Sequence, residues 1–167
     1  MDNELDKTNL LITKTGEIIK HLSPAYFGLV MATGIVSIGA ELLGMHLLAM
    51  SLFIINLIAF FLLWILYLVR LLFYTRFFLE DLKSHQAGMG FFTIVAGTCV
   101  VGTQVIVITE NYRYSQMLLV LGVTLWVLLS SIIFPMLTIK EKKPPLNEGI
   151  TGGWLLAVVA TQSISVL

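Results

Sequence analysis

Residues 24–44 read PAYFGLVMATGIVSIGAELLG. The stretch is long enough to cross a bilayer, since about 20 apolar residues suffice. Yet it is crowded with small residues: Gly28, Ala32, Thr33, Gly34, Ser37, Gly39 and Ala40. A helix that only anchored a protein in lipid would not need them. Small residues let another backbone approach closely, or leave space beside the helix. Two later apolar stretches repeat this character, and the stretches between them do not.

The whole chain supports a membrane class. Of its 167 residues, 57% are hydrophobic and only 12% charged, against roughly 25% charged in an ordinary soluble domain. Mean hydropathy is +0.93. The formal net charge is zero and no basic patch with interleaved aromatics occurs, which argues against a nucleic-acid partner. The single cysteine, Cys99, lies inside an apolar run. It has no internal disulfide partner and reads as a small buried apolar residue.

Residues 1–22 form a mixed, polar tail, read as cytoplasmic, with at most a short interfacial helix. The transmembrane domain spans 23–167. Ser23 followed by Pro24 marks a helix start, because serine caps free N–H groups and proline tolerates the first turn. Span one covers about 25–43. Gly44, Met45 and His46 make a tight connection, and span two covers about 47–72, dense in Leu, Ile and Phe. Its Arg70 is placed to snorkel, and Trp64, Tyr67, Tyr74 and Trp154 fit interfacial belts. Residues 74–90 read as a polar connection. Span three covers about 91–108 and carries Thr93, Gly97, Thr98, Gly102, Thr103 and Gln104. Span four covers about 116–137, with Pro135 expected to kink its last turn. A lysine- and proline-bearing linker leads to span five, about 152–167. Those 16 residues reach about 24 Å, short of a full crossing. Their abrupt stop reads as truncation.

Orientation follows from the cations. If every span crosses, nine of the ten Lys and Arg residues fall on one side. The positive-inside rule then puts the N-terminus in the cytoplasm, and spans one, three and five run outward. These odd spans begin near 25, 91 and 153, each small-residue-rich span followed by a bulky one where the chain allows. The pattern is a repeat of helical hairpins in parallel orientation, which can stack around an axis along the membrane normal. The Gly/Thr/Ser helices would face that axis and the Leu/Ile helices would face lipid.

Certain strings carry a resemblance. They are Pro24-Ala25-Tyr26-Phe27-Gly28 with Ala32-Thr33-Gly34-Ile35, the stretch from Glu80-Asp81-Leu82 to Phe91-Phe92-Thr93, and Gly153-Trp154-Leu155-Leu156 with Val158-Val159-Ala160. In this order they resemble the tellurite-resistance/dicarboxylate transporter (TDT) family, which includes malate carriers and the plant slow anion channel. The resemblance implies an all-α fold of ten helices, five hairpins around a pore, usually a trimer, with odd helices lining the pore. This chain would supply its N-terminal half. The resemblance also implies a small-anion substrate and residence in the cytoplasmic (inner) membrane. Two departures stand out. A His-Pro pair of the family is His85-Gln86 here. The pore-plugging phenylalanine belongs to the ninth helix and carries over to no position of this chain.

Within span one, Gly28, Ala32, Ile35 and Gly39 form a stripe that reads as helix packing. Gly34 and, in span three, Gly97 are packing or pore glycines. The adjacent face, Thr33, Ser37 and Ala40, reads as pore lining, joined by Thr98, Gly102 and Gln104 of span three and Thr161 and Ser165 of span five. Hydroxyls and amides solvate an anion without a fixed charge that would trap it. Glu41, the only acid inside a span, is a mouth or proton site that His46 can pair with. His21, His46 and His85 are scattered, so no metal site is expected. No cofactor motif, nucleophile–base pair or phosphate loop occurs, so the chain does not read as an enzyme. The expected function is channel-like transport of small anions, C4-dicarboxylates such as malate or inorganic ions. The competing reading is a non-transporting remnant or an assembly subunit of a membrane complex.

Overall fold

A computed structural model of the chain describes residues 16–17, 19–20, 22–84, 87–139 and 152–167. The expected tail over 1–15, His21, the His85-Gln86 pair and the linker over 140–151 lie outside the described residues. Among the described residues, Ser23 accepts the Ala25 N–H at 3.3 Å and Pro24 opens a 3₁₀ turn, Pro24–Tyr26. That turn feeds helix α1 (Phe27–Leu42). Then come α2 (His46–Phe73), α3 (Thr75–Leu82), α4 (Ala87–Gly90), α5 (Phe92–Thr109) and α6 (Tyr112–Ile139). Another 3₁₀ turn, Gly152–Trp154, leads into α7 (Leu155–Val166).

Four of the described helices are long and apolar enough to cross a membrane: Pro24–Leu42, His46–Phe73, Ala87–Thr109 and Tyr112–Ile139. Gly152–Val166 is a shorter apolar helix. At 1.5 Å per residue, α2 and α6 each reach about 42 Å, beyond a ~30 Å hydrocarbon layer. Pro135 lies inside α6, which continues to Ile139.

The connection after α1 is built by glycine. Gly44 has φ +78°, a left-handed conformation. The Gly44 N–H donates to Glu41 O at 2.9 Å and the Met45 N–H to Ala40 O at 2.8 Å. This is a Schellman ending, which satisfies carbonyls that the helix would leave bare.

The centre of the molecule is α5, not α1. Most of α5 is buried, whereas only a minority of residues in α1 and α2, and fewer still in α6, are buried. It packs against α1, α2, α6 and α7. Small residues make those approaches possible. Phe27 lies against Gly97, 3.4 Å from where a methyl would sit. Cys99 Sγ would stand 2.7 Å from a methyl on Gly122 of α6, and Leu167 Cδ2 2.7 Å from one on Gly102. A methyl on Gly34 of α1 would collide with Val100. Cys99 is fully buried, as an apolar residue would be.

The long helices α2 and α6 present their bulk outward, including Leu47, Ile58, Phe61, Val120 and Leu128. Hydroxyls in the helices mostly bond to their own backbone one turn back. Thr98 donates to Ile94 O, Thr103 to Cys99 O, Thr109 to Val105 O, Thr124 to Val120 O and Ser163 to Val159 O.

Three expectations are corrected by packing at the α3 end of the molecule. Arg70 does not snorkel; it is buried. Its guanidinium donates to Lys20 O at 3.0 and 3.2 Å, to Leu22 O at 2.7 Å and to Asp81 Oδ2 at 2.5 Å. One rigid fork thus ties the segment before α1 to α2 and α3. Tyr67 is not an interfacial anchor either. It is buried, donates to Leu22 O at 3.2 Å, and joins Trp64 and Phe60 around the Phe27 ring with edge-to-face geometry. Such pairs add roughly 1 kcal/mol each beyond area burial. Finally, residues 74–90 are not merely a polar connection. Phe78 of α3 stacks edge-on to Phe91 at 5.0 Å, and Leu82 and Met89 are buried. Gly88 lies where a methyl would come within 2.9 Å of Leu82 O, so only glycine fits.

Three stability outcomes follow. Arg70→Lys retains charge but loses the fork, and thermal unfolding in detergent is expected to show a loss of about 2 kcal/mol. Gly34→Ala is expected to cost about 1–3 kcal/mol by overpacking. Gly39→Ala, where a methyl meets nothing within 4 Å, is expected to be neutral or to gain up to about 1 kcal/mol in the same assay.

Candidate anion path and buried amide pair

The helices α1, α5 and α7 share a groove of about 370 Å³. Met31, Ile35 and Ile38 of α1 follow helical spacing along one wall. Val100 and Thr103 of α5 form the floor, and Val159, Gln162, Ser163 and Val166 of α7 form the other wall. The groove is mainly apolar. Its polar groups are Thr103, Gln162 and Ser163, and it contains no ionisable side chain.

The residues singled out from sequence are spread around this groove. Ser37 is buried and donates to Ala49 O of α2 at 2.8 Å, so its hydroxyl points to α2. Thr33 is half-buried, and Thr98 is buried with its hydroxyl on Ile94 O. Gly102 is covered by Leu167 and Leu118. Thr161 is exposed; it accepts the Trp126 Nε1–H at 3.0 Å and donates to Ala157 O at 2.9 Å. Ser165 is exposed and donates to Gln162 O. None of these lines the groove, whereas Ile35 of the neighbouring stripe does. In that stripe Ala32 is exposed, and a methyl on Gly28 or Gly39 would meet nothing within 4 Å. Gly34 and Gly97 are contact points for α5 and Phe27. At the far end of α1, His46 Nδ1 stands 2.6 Å from Glu41 Oε1. Among the described residues no three His, Cys, Asp or Glu side chains meet in a cluster able to hold a metal.

Sequence reading missed Asn56. It lies inside α2, fully buried, and its Nδ2 donates to Gln104 Oε1 of α5 at 2.6 Å. Gln104 is also fully buried. Asn56 Oδ1 and Gln104 Nε2 have no hydrogen-bond partner. Gly34 faces the pair: a methyl there would stand 3.1 Å from Asn56 Nδ2 and 3.2 Å from Gln104 Oε1. The sequence did hold a signal, because Asn56 is the one carboxamide in a run of Leu, Ile and Phe. Polar groups in apolar spans are rare and usually find partners.

Comparison with known proteins bears on this arrangement. No solved structure matches the chain. An uncharacterized transporter of Methanocaldococcus jannaschii is 29% identical over 149 residues, which cover 86% of this chain and 42% of that protein. The chain therefore spans less than half the length of that relative. The family model described as the voltage-dependent anion channel, SLAC1, matches residues 21–167. With nearly all of its length matched, the chain belongs to the SLAC1 family of voltage-dependent anion channels.

Proposed function

We propose that this integral membrane protein contributes to a path for small anions along the side shared by α1, α5 and α7. The observation that carries the reading is the common groove of these three helices in a chain of an anion-channel family. Its neutral lining suits conduction, because a site that is to release its ion must bind weakly. The open positions at Gly28 and Gly39 extend the same helix beyond the groove. In this reading Thr103, Gln162 and Ser163 offer the polar contacts. Glu41 with His46 forms a mouth or proton site at the outer end of α1.

The finer points belong to the same proposal. The unit is half of a ten-helix, five-hairpin pore, with α1–α2 and α5–α6 as two hairpins and α7 opening a third. The assembly is a homo-oligomer, a trimer by the family resemblance. It lies in the cytoplasmic membrane with a cytoplasmic N-terminus, a reading supported by the nine of ten cations that fall on one side if every span crosses. Its substrates are small anions, C4-dicarboxylates such as malate or inorganic ions, moved passively or with protons.

The test is anion flux into proteoliposomes containing the purified chain. Flux above empty vesicles is expected. Ile35→Trp is expected to reduce it at least several-fold with little change in thermal stability, because Ile35 is exposed and lines the groove wall. Flux no greater than that of empty vesicles would remove transport by this chain alone and favour an assembly role.

A further inference from the structure

We propose that the Asn56 and Gln104 carboxamides form a binding subsite for a small oxyanion that still carries one proton, bicarbonate being the simplest example. The proposal deepens the transport reading and rests on it for the route by which an anion arrives.

The argument starts from unused hydrogen-bonding groups. Two carboxamides facing each other can form a closed pair with two reciprocal bonds. Here one bond is formed, at 2.6 Å. Asn56 Oδ1 and Gln104 Nε2 are left bare, although both residues are at least 99% buried. A buried bare donor or acceptor costs free energy, and native interiors contain few. If the pair served only to clamp α2 to α5, closing the second bond would clamp better. Turning both carboxamides over exchanges their roles and still leaves one donor and one acceptor.

What remains is a specific demand. The free group on Gln104 is an N–H donor and the free group on Asn56 is an oxygen acceptor. A halide or nitrate satisfies only the donor and is repelled by the oxygen. A fully deprotonated carboxylate has the same mismatch. A singly protonated oxyanion meets both groups, since its oxygen accepts from Nε2 while its O–H donates to Oδ1. Both protein groups are neutral, so binding stays weak enough for release.

The pair is also placed beside the groove. Val100 forms part of the groove floor, and Gln104 follows it by one helical turn on the same face of α5. Between groove and pair stands the contact of Gly34 with Val100. A glycine there leaves the smallest barrier a residue can provide. On this proposal an anion reaches the amides from the groove when α1 moves away from α5 at that contact.

The experiment uses the full chain in lipid nanodiscs, labelled with ¹⁵N at glutamine side chains. There are four glutamines, Gln86, Gln104, Gln116 and Gln162. The Gln104 signal is the one lost in Gln104→Leu. If that variant does not fold, replacing Gln86, Gln116 and Gln162 by Ser leaves Gln104 as the remaining signal. The expected result is a shift of the Gln104 side-chain N–H with sodium bicarbonate, saturating at about millimolar concentration. Sodium chloride and sodium nitrate at equal ionic strength are expected to give no saturating shift. An equal saturating shift with chloride would overturn the protonated-oxyanion assignment. A Gln104 signal insensitive to all three salts would overturn the subsite, whether or not it shows magnetisation exchange with water. Saturation without liposome flux would leave the subsite standing and remove transport. Flux with a silent Gln104 would do the reverse.

Discussion

Helix α5 is the most buried of the four long apolar helices, and that constraint shapes everything around it. Four helices press on an element of 18 residues. Large side chains at every contact would hold the helices apart, so one partner at each closest approach is small. Gly34 admits Val100, Gly97 admits Phe27, and Gly122 admits Cys99. In lipid there is little hydrophobic gain from bringing helices together, so close van der Waals fit and interhelical hydrogen bonds supply the attraction. The glycines are therefore the means by which α5 is enclosed.

Enclosing α5 also determines what is left open. Because α1 spends Gly34, Ser37 and Ala40 on its neighbours, its opposite stripe stays free. Because α7 touches α5 mainly along one side, a groove remains where α1, α5 and α7 nearly meet. The bulky helices α2 and α6 turn leucine, isoleucine and phenylalanine outward, as a lipid-facing layer would. Packing demand and open groove are thus two faces of the same helices, separated by about 100° of rotation.

That rotation explains how far the sequence was legible. The helix-start signal at Ser23-Pro24 and the turn at Gly44 were readable because each has a local cause, a cap and a left-handed residue. The apolar spans were readable from length and composition, and the family from strings that its model also matches. Which face of span one meets protein was not readable, because both adjacent faces are rich in small residues. Ser37 bonds to Ala49 O through a contact that no local pattern announces. Arg70 was misplaced for a similar reason. Its position near a helix end suggests water, but the carbonyls that hold it come from residues 48 and 50 positions away in the chain. The closeness of α1 and α5 at Gly34 was equally invisible, since it depends on where Val100 points.

The hydroxyls bonded back to their own helices have a consequence for how the chain is assembled. Thr98, Thr103, Thr109, Thr124 and Ser163 carry their partners with them. Each such hydroxyl can leave the insertion machinery and enter the acyl chains with its hydrogen bond already made. A few groups are different. Ser37 reaches α2, Thr93 reaches Pro24 O at 2.7 Å, and Asn56 reaches α5. Together with the Trp126–Thr161 bond and the contacts of Arg70 and Tyr67, these can tell a correct neighbour from a wrong one among otherwise interchangeable greasy rods. Fidelity of assembly in this protein therefore hangs on these few long-range bonds, while the hydroxyls bonded to their own helices serve solubility in oil.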